Sequence, residues 1–155
     1  MKHKTTLIVR GGGDLASGVI HRLYKCGYQV LVLECAKPSA IRRRVSFGEA
    51  VYDGTSRVEG VTGRLIRDIS ECRKVWDEKE IPILVDENAD AVSELKPDAL
   101  IDAILAKKNL GTTRTMAPLT IGLGPGFTAR VDVDYVVETQ RGHNLARVIE
   151  KGTAA

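Results

Sequence analysis

The chain has 155 residues, of which 43% are hydrophobic and 28% charged, an ordinary composition for one globular domain that excludes a disordered chain. Against 20 Asp and Glu stand 23 Lys and Arg, a formal charge of +3, too balanced to point to nucleic acid or a membrane surface. No apolar run reaches the ~18 residues of a membrane helix, so neither nucleic acid nor a membrane is an expected partner.

Residues 5–10 (TTLIVR) read as a first strand, because Leu7-Ile8-Val9 is apolar on both faces, as in a buried parallel strand. The apolar stretch is short and runs into glycines, so a signal peptide is not expected. Leu15, Val19, Ile20 and Leu23 recur at helical spacing over 15–26, with Gly27 placed to end that helix. Residues 28–34 (YQVLVLE) are a second buried strand, which completes one βαβ unit. Pro38 then breaks the pattern, and 41–47 stays open between a helical turn and a short strand. β-Branched residues and glycines over 57–67 point to a strand. Residues 70–79 read as a helix with Ser70 as N-cap, 81–85 as a strand, 88–95 as a short helix and 99–105 as a strand. Further strands are expected at 119–123 and 133–138. Strands alternating with helices predict an α/β domain over 1–150: a Rossmann-like, mostly parallel sheet with helices on both faces. Residues 151–155 are expected as a tail or a truncation edge.

The densest motif is Gly11-x-Gly13-x-x-Ala16, directly after a buried strand and opening a helix. In a dinucleotide fold the first glycine allows a tight turn, the second lets backbone approach a pyrophosphate, and the third small residue permits close packing. Gly11, Gly12, Gly13 and the amides of Asp14, Leu15 and Ala16 are therefore candidates to hold phosphate at the helix N-terminus. The Asp14 carboxylate would repel phosphate unless it caps the helix. Glu34 ends the second strand 21 positions after Gly13, where an acid would bind a ribose hydroxyl. Arg42, Arg43 and Arg44 follow that strand and offer a 2′-phosphate or another anion a partner. Glu34 favours NAD and the arginines NADP, so the two features pull apart.

A second glycine loop, Gly122-Leu-Gly124-Pro-Gly126, follows a strand and offers free amides at a strand end, with Lys107, Lys108, Thr112, Thr113 and Arg114 upstream. Gly124, Gly126 and Arg141 would close the side of the site opposite the first loop. His143, in the polar run after 133–138, is the weak candidate for an acid or base. No nucleophilic triad or metal-ligand spacing is present, and no metal is expected. Three cysteines, Cys26, Cys35 and Cys72, without a CxxC, argue against a disulfide framework and fit a reducing cytoplasm. Beside Glu34, Cys35 is disfavoured as a thiolate.

The segments GGGDLASGVIHRL (11–23), AIRRRVSFGEAVYDG (40–54), VEGVT (58–62), LIDAILAKKNLGT (100–112), APLTIGLGPGF (117–127) and VVETQRGHNLARVI (136–149) resemble the YqeB family. These are accessory proteins of the selenium-dependent molybdenum hydroxylase system, similar in spirit to XdhC-type maturation factors. The resemblance implies a cytoplasmic maturation factor that acts at modification or insertion of the molybdenum cofactor. It implies that the chain corresponds to the N-terminal part of longer members, and it brings no catalytic residues. The expected ligand is a nucleotide or a molybdopterin-type, nucleotide-containing cofactor. The expected partners are the hydroxylase or other maturation proteins, with a homodimer as the base rate for soluble proteins. An NAD(P)-dependent oxidoreductase is the alternative, and a non-catalytic docking protein a third reading.

Overall fold

The computed structural model describes residues 4–40 and 42–155, and of Arg43 the backbone alone. Among them, nine strands form one mixed, mostly parallel sheet. They are β1 (Thr6–Arg10), β2 (Gln29–Glu34), β3 (Thr55–Val58), β4 (Val61–Ile66), β5 (Ile81–Val85), β6 (Ala99–Asp102), β7 (Leu119–Leu123), β9 (Tyr135–Val137) and β10 (Val148–Ile149), in the order β10-β9-β7-β6-β1-β2-β5-β4-β3. The seven inner strands run parallel, whereas β3 and β10 join antiparallel at the two edges. The helices are α1 (Asp14–Lys25), α2 (Ala50–Asp53), α3 (Cys72–Asp77) and α4 (Ala91–Leu95). No helix among the described residues is long and apolar enough to cross a membrane.

The first βαβ unit forms where the apolar periodicity places it. α1 starts after Gly13, which is extended and makes no side-chain cap, and carries Asp14 in its first turn and Arg22 and Lys25 in its last. That distribution complements the helix dipole. Gly27, at φ +95°, ends it. The chain then crosses from β2 toward one edge of the sheet, while β6 pairs on the other side of β1 and leads through β7 to β9. The switch in direction therefore falls between β1 and β6, and in open α/β sheets the crevice at the carboxyl ends of such strands is where ligands bind.

Successive strand residues alternate between two apolar clusters. Leu7, Val9, Val30 and Val32 pack with Ala16 and Ile20 of α1, Phe47 and Ala50. Ile8, Leu31 and Leu33 pack with Cys72 and Val75 of α3 and Ala91 and Val92 of α4. Each fully buried aliphatic side chain is worth ~1.5–3 kcal/mol, so this double layer fixes the frame on which the loops sit. A third cluster joins Phe127, Ala129, Val133, Val136 and Ala154.

Several elements differ from the sequence reading. The 57–67 region is a hairpin of two strands, β3 and β4, turning at Glu59-Gly60, both at positive φ. The helix expected at 70–79 is a tight turn over Ile69–Glu71 followed by α3. Its cap is Asp68 rather than Ser70: the Asp68 carboxylate accepts from the Ser70 amide, and Glu71 reaches back to the Asp68 amide. The strand expected to reach 105 ends at Asp102, whose carboxylate accepts from the Ile104 amide and turns the chain. Of residues 151–155, expected as a tail, Gly152–Thr153 form β11, which pairs with β8 (Thr128–Ala129), and Ala154 is buried.

Candidate functional site

Two of the three glycines after β1 are fixed by close approach. Gly11 sits at φ +100°, and a side chain there would meet the carbonyl oxygen of Ala103 at 2.8 Å. The Gly12 amide donates to Glu34 Oε2 at 2.7 Å. The Gly12 carbonyl accepts from Gly48 N at 2.8 Å, Ser46 Oγ at 2.6 Å and Ser17 Oγ at 3.1 Å. Ser17 Oγ in turn accepts from the Phe47 amide. The 46–48 segment is thus laced onto the loop from one side. Gly13 differs, since a Cβ there would meet nothing within 4 Å. Gly13, Asp14 and Leu15, the last 49% exposed, are the open part of the motif, whereas Ala16 is 1% exposed and packs into the core. Asp14 is the first residue of α1, and its carboxylate accepts from the Arg42 amide at 3.3 Å.

Glu34 lies at the end of β2 with Oε1 accepting from its neighbour Cys35 N at 2.8 Å. Each oxygen already takes one amide and keeps a lone pair for a further donor. A cavity of about 410 Å³ opens at the carboxyl ends of β1, β2, β5 and β6, within the usual range for small-molecule sites. Gly11, Glu34, Cys35, Glu87, Ile104 and Leu110 are among its walls. Burial, and then the Glu34 charge, push the Cys35 thiol above its ordinary pKa, so it is not an activated nucleophile. The Asp86 carboxylate caps the start of α4 through the amides of Asp90 and Ala91, and Glu87 accepts from the Ala36 amide.

The cavity floor holds a buried ionic network that no sequence motif marks. Arg10 and Asp102 are 2% and 1% exposed. Arg10 Nη1 donates to Thr112 Oγ1 at 2.8 Å, and that hydroxyl donates to Asp102 Oδ2 at 2.6 Å. Arg10 Nη2 donates to the carbonyls of Glu87 and Leu110, one in each wall of the cavity. The only sequence signal was a charged residue closing each of two apolar strands. Their partnership appears only when β1 and β6 pair with Arg10 opposite Asp102.

The second glycine loop does not face the first across open space. The strap after β6, residues 103–111, runs between them. Ala103 and Ile104 lie against Gly11, the Leu105 side chain against Gly124, and the Lys108 backbone against Gly126, each within 3.0 Å of where a Cβ would stand. Gly124 and Gly126, at φ +81° and +109°, are therefore needed for packing, and the Gly124 amide is bonded to the Val137 carbonyl. Lys107 and Lys108 are exposed. Arg114 is drawn away to Asp134 and the Arg130 carbonyl.

Arg141 and His143 are exposed in the loop that follows β9. β9 lies three strand positions from β1, a lateral separation of about 14 Å. The structure thus groups Gly11, Gly12 and Glu34 at one site, leaves Gly13 to Ala16 and Arg42 beside it, and places Arg141 and His143 at the far side of the sheet. The side chain of Arg43 lies outside the described residues. No group of three or more His, Cys, Asp or Glu among the described residues is arranged to hold a metal ion.

Two carboxylates brace that far side. Burial pushes the Asp134 carboxyl up, but hydrogen bonds from Arg114 and from the amide and hydroxyl of Thr120 outweigh it and hold Asp134 below the usual range. Amides of Ala155 and Gln140 do the same for Glu138. A carboxyl whose pKa is depressed on folding contributes stability in full above its unfolded value, near ~4, and loses it as pH falls through the folded value. The urea midpoint is therefore expected to drop below about pH 4, and Asp134→Asn to reduce that drop. An unchanged acid limb in the variant contradicts the assignment.

No family model matches the chain, and no solved structure matches it. A protein of Escherichia coli (strain K12) described as "Uncharacterized protein YqeB" is 51% identical to it over 148 residues, which is 96% of this chain. Those residues are 27% of that protein, so the chain spans about a quarter of the length of the curated relative it matches. Identity at this level across almost every residue of the chain supports its place in the YqeB family.

Proposed function

We propose that the chain binds a nucleotide, or a nucleotide-containing molybdenum cofactor, at the carboxyl edge of its Rossmann-like sheet, and that it serves as an accessory factor in maturing a selenium-dependent molybdenum hydroxylase. The observation that carries the binding reading is the cavity at the β1, β2, β5 and β6 strand ends, whose walls include both Gly11 and Glu34. A base and ribose fit its partly apolar walls, Glu34 accepts from a ribose hydroxyl, and phosphate lies toward Gly13 and the open amides of the α1 first turn. The maturation role rests on the resemblance to the YqeB family and goes with a cytoplasmic location.

A binding role is favoured over hydride transfer by His143, which is exposed in the loop after β9, a strand three positions from β1 in the sheet. A docking role is favoured by exposed apolar side chains on that same side, Leu145 at 54% and Val148 at 56%. Thermal shift and calorimetry against NAD, NADP, ATP, CTP and the molybdopterin cofactor test these readings. Saturable binding of a nucleotide or of the cofactor, weakened by Gly13→Asp, is the expected result. Binding of none of them overturns the ligand reading and leaves docking. An unchanged affinity in Gly13→Asp removes the phosphate role of the loop.

A further inference from the structure

We propose that the site takes a single nucleoside unit rather than a dinucleotide; this rests on the nucleotide-binding reading above and narrows its ligand class. A dinucleotide lies across the switch point, with one nucleoside on each side of the first glycine loop. Here the two sides are unequal. On the β2 and β5 side lies the 410 Å³ cavity, walled by Leu33, Glu34, Ile104 and Leu110. On the β6 and β7 side the strap of residues 103–111 takes the place of a second nucleoside.

The strap is built in rather than draped. Its backbone needs two glycines to give way, Gly11 at Ala103 and Gly126 at Lys108, and its Leu105 side chain lies against Gly124. It also carries Leu105 and Lys107 in the left-handed region, at φ +59° and +62°. Non-glycine residues stay there only where their surroundings impose it. Asn109 closes the strap by bonding both the amide and the carbonyl of Thr112, and Arg10 ties its Leu110 carbonyl to the floor. Swinging it aside for a second nucleoside would break these bonds together.

The charges agree with one nucleoside entering base first. Glu34 and Glu87 on the cavity walls offer acceptors to ribose hydroxyls and amino groups and repel phosphate. The phosphate therefore stays outside, beside the α1 first turn. Anything attached beyond it projects into solvent and adds little to affinity.

Calorimetry of the 155-residue chain with each of AMP, GMP, CMP and UMP, beside the matching dinucleoside diphosphate, tests this. For whichever base binds, the dinucleotide is expected within about threefold of the mononucleotide. A dinucleotide tighter by about tenfold or more, ~1.4 kcal/mol, overturns the proposal, because the second nucleoside is then engaged. Leu110→Trp, at a rim position 44% exposed, is expected to weaken the mononucleotide at least about tenfold with its melting temperature unchanged. Unaltered binding in that variant places the ligand elsewhere and also overturns it. If no nucleotide of either kind binds the wild-type chain, the nucleotide reading itself falls, and this inference falls with it.

Discussion

Gly11→Ala is expected to cost about 3 kcal/mol or more of unfolding free energy, read as the shift in urea midpoint at constant m-value. Two terms add. The residue sits at φ +100°, where a non-glycine residue pays of order 1–3 kcal/mol. The new methyl would also stand 2.8 Å from the Ala103 carbonyl oxygen and 2.9 Å from its carbon. Those are backbone atoms at the end of a buried strand, and they cannot rotate away. Gly13→Ala is the control: its φ of −73° suits any residue and its Cβ would meet nothing within 4 Å. Loss of glycine at an N-cap costs less than about 1 kcal/mol. If both variants lose the same stability, the loop is not held against β6 as described. If they differ, glycines needed for packing and the glycine left open for a ligand are told apart within one motif.

That contrast marks how far sequence reasoning reaches. The βαβ unit was legible because it is local: an apolar strand, a glycine turn, a helical stripe and a second apolar strand follow each other within thirty residues. Glu34 was legible by its spacing from Gly13, although its first partner proves to be the Gly12 amide in the same loop. The region after Pro38 was not legible, because its short turns are stabilised by contacts distant in sequence. Gly48 has no local reason to be a glycine; it is one because the Gly12 carbonyl and Glu34 carboxylate lie 2.9 and 3.1 Å from where its Cβ would be. The two-residue strands β8, β10 and β11 are too short to show a period. The second glycine loop looked like a ligand cradle because glycines that admit a ligand and glycines that admit another stretch of backbone read alike. Only the strap, running past Gly124 and Gly126, separates the two meanings.

Arg10→Ala is expected to destabilise the chain by about 3–5 kcal/mol, the cost of leaving a buried charge without its partner. Removing the guanidinium strands the Asp102 carboxylate, 1% exposed, with the Thr112 hydroxyl and the Ile104 amide alone. It also leaves the Glu87 and Leu110 carbonyls without the donor they share. The direct Arg10–Asp102 separation is 4.0 Å, so the attraction passes largely through Thr112, whose hydroxyl accepts from one and donates to the other. Thr112→Val keeps the shape and removes that relay, at an expected cost of about 1–3 kcal/mol. The decisive measurement is a double-mutant cycle in urea. Arg10→Met with Asp102→Leu removes both charges together and replaces them with apolar groups, so the pair is expected to cost less than the sum of the singles by more than about 1 kcal/mol. Additive losses would mean that each charge is satisfied independently, and the two walls of the cavity would then not be joined through its floor. A coupled result makes the floor of the candidate site one cooperative unit, in which the β1 and β6 strand ends, the strap and the loop before α4 are fixed relative to each other before any ligand arrives.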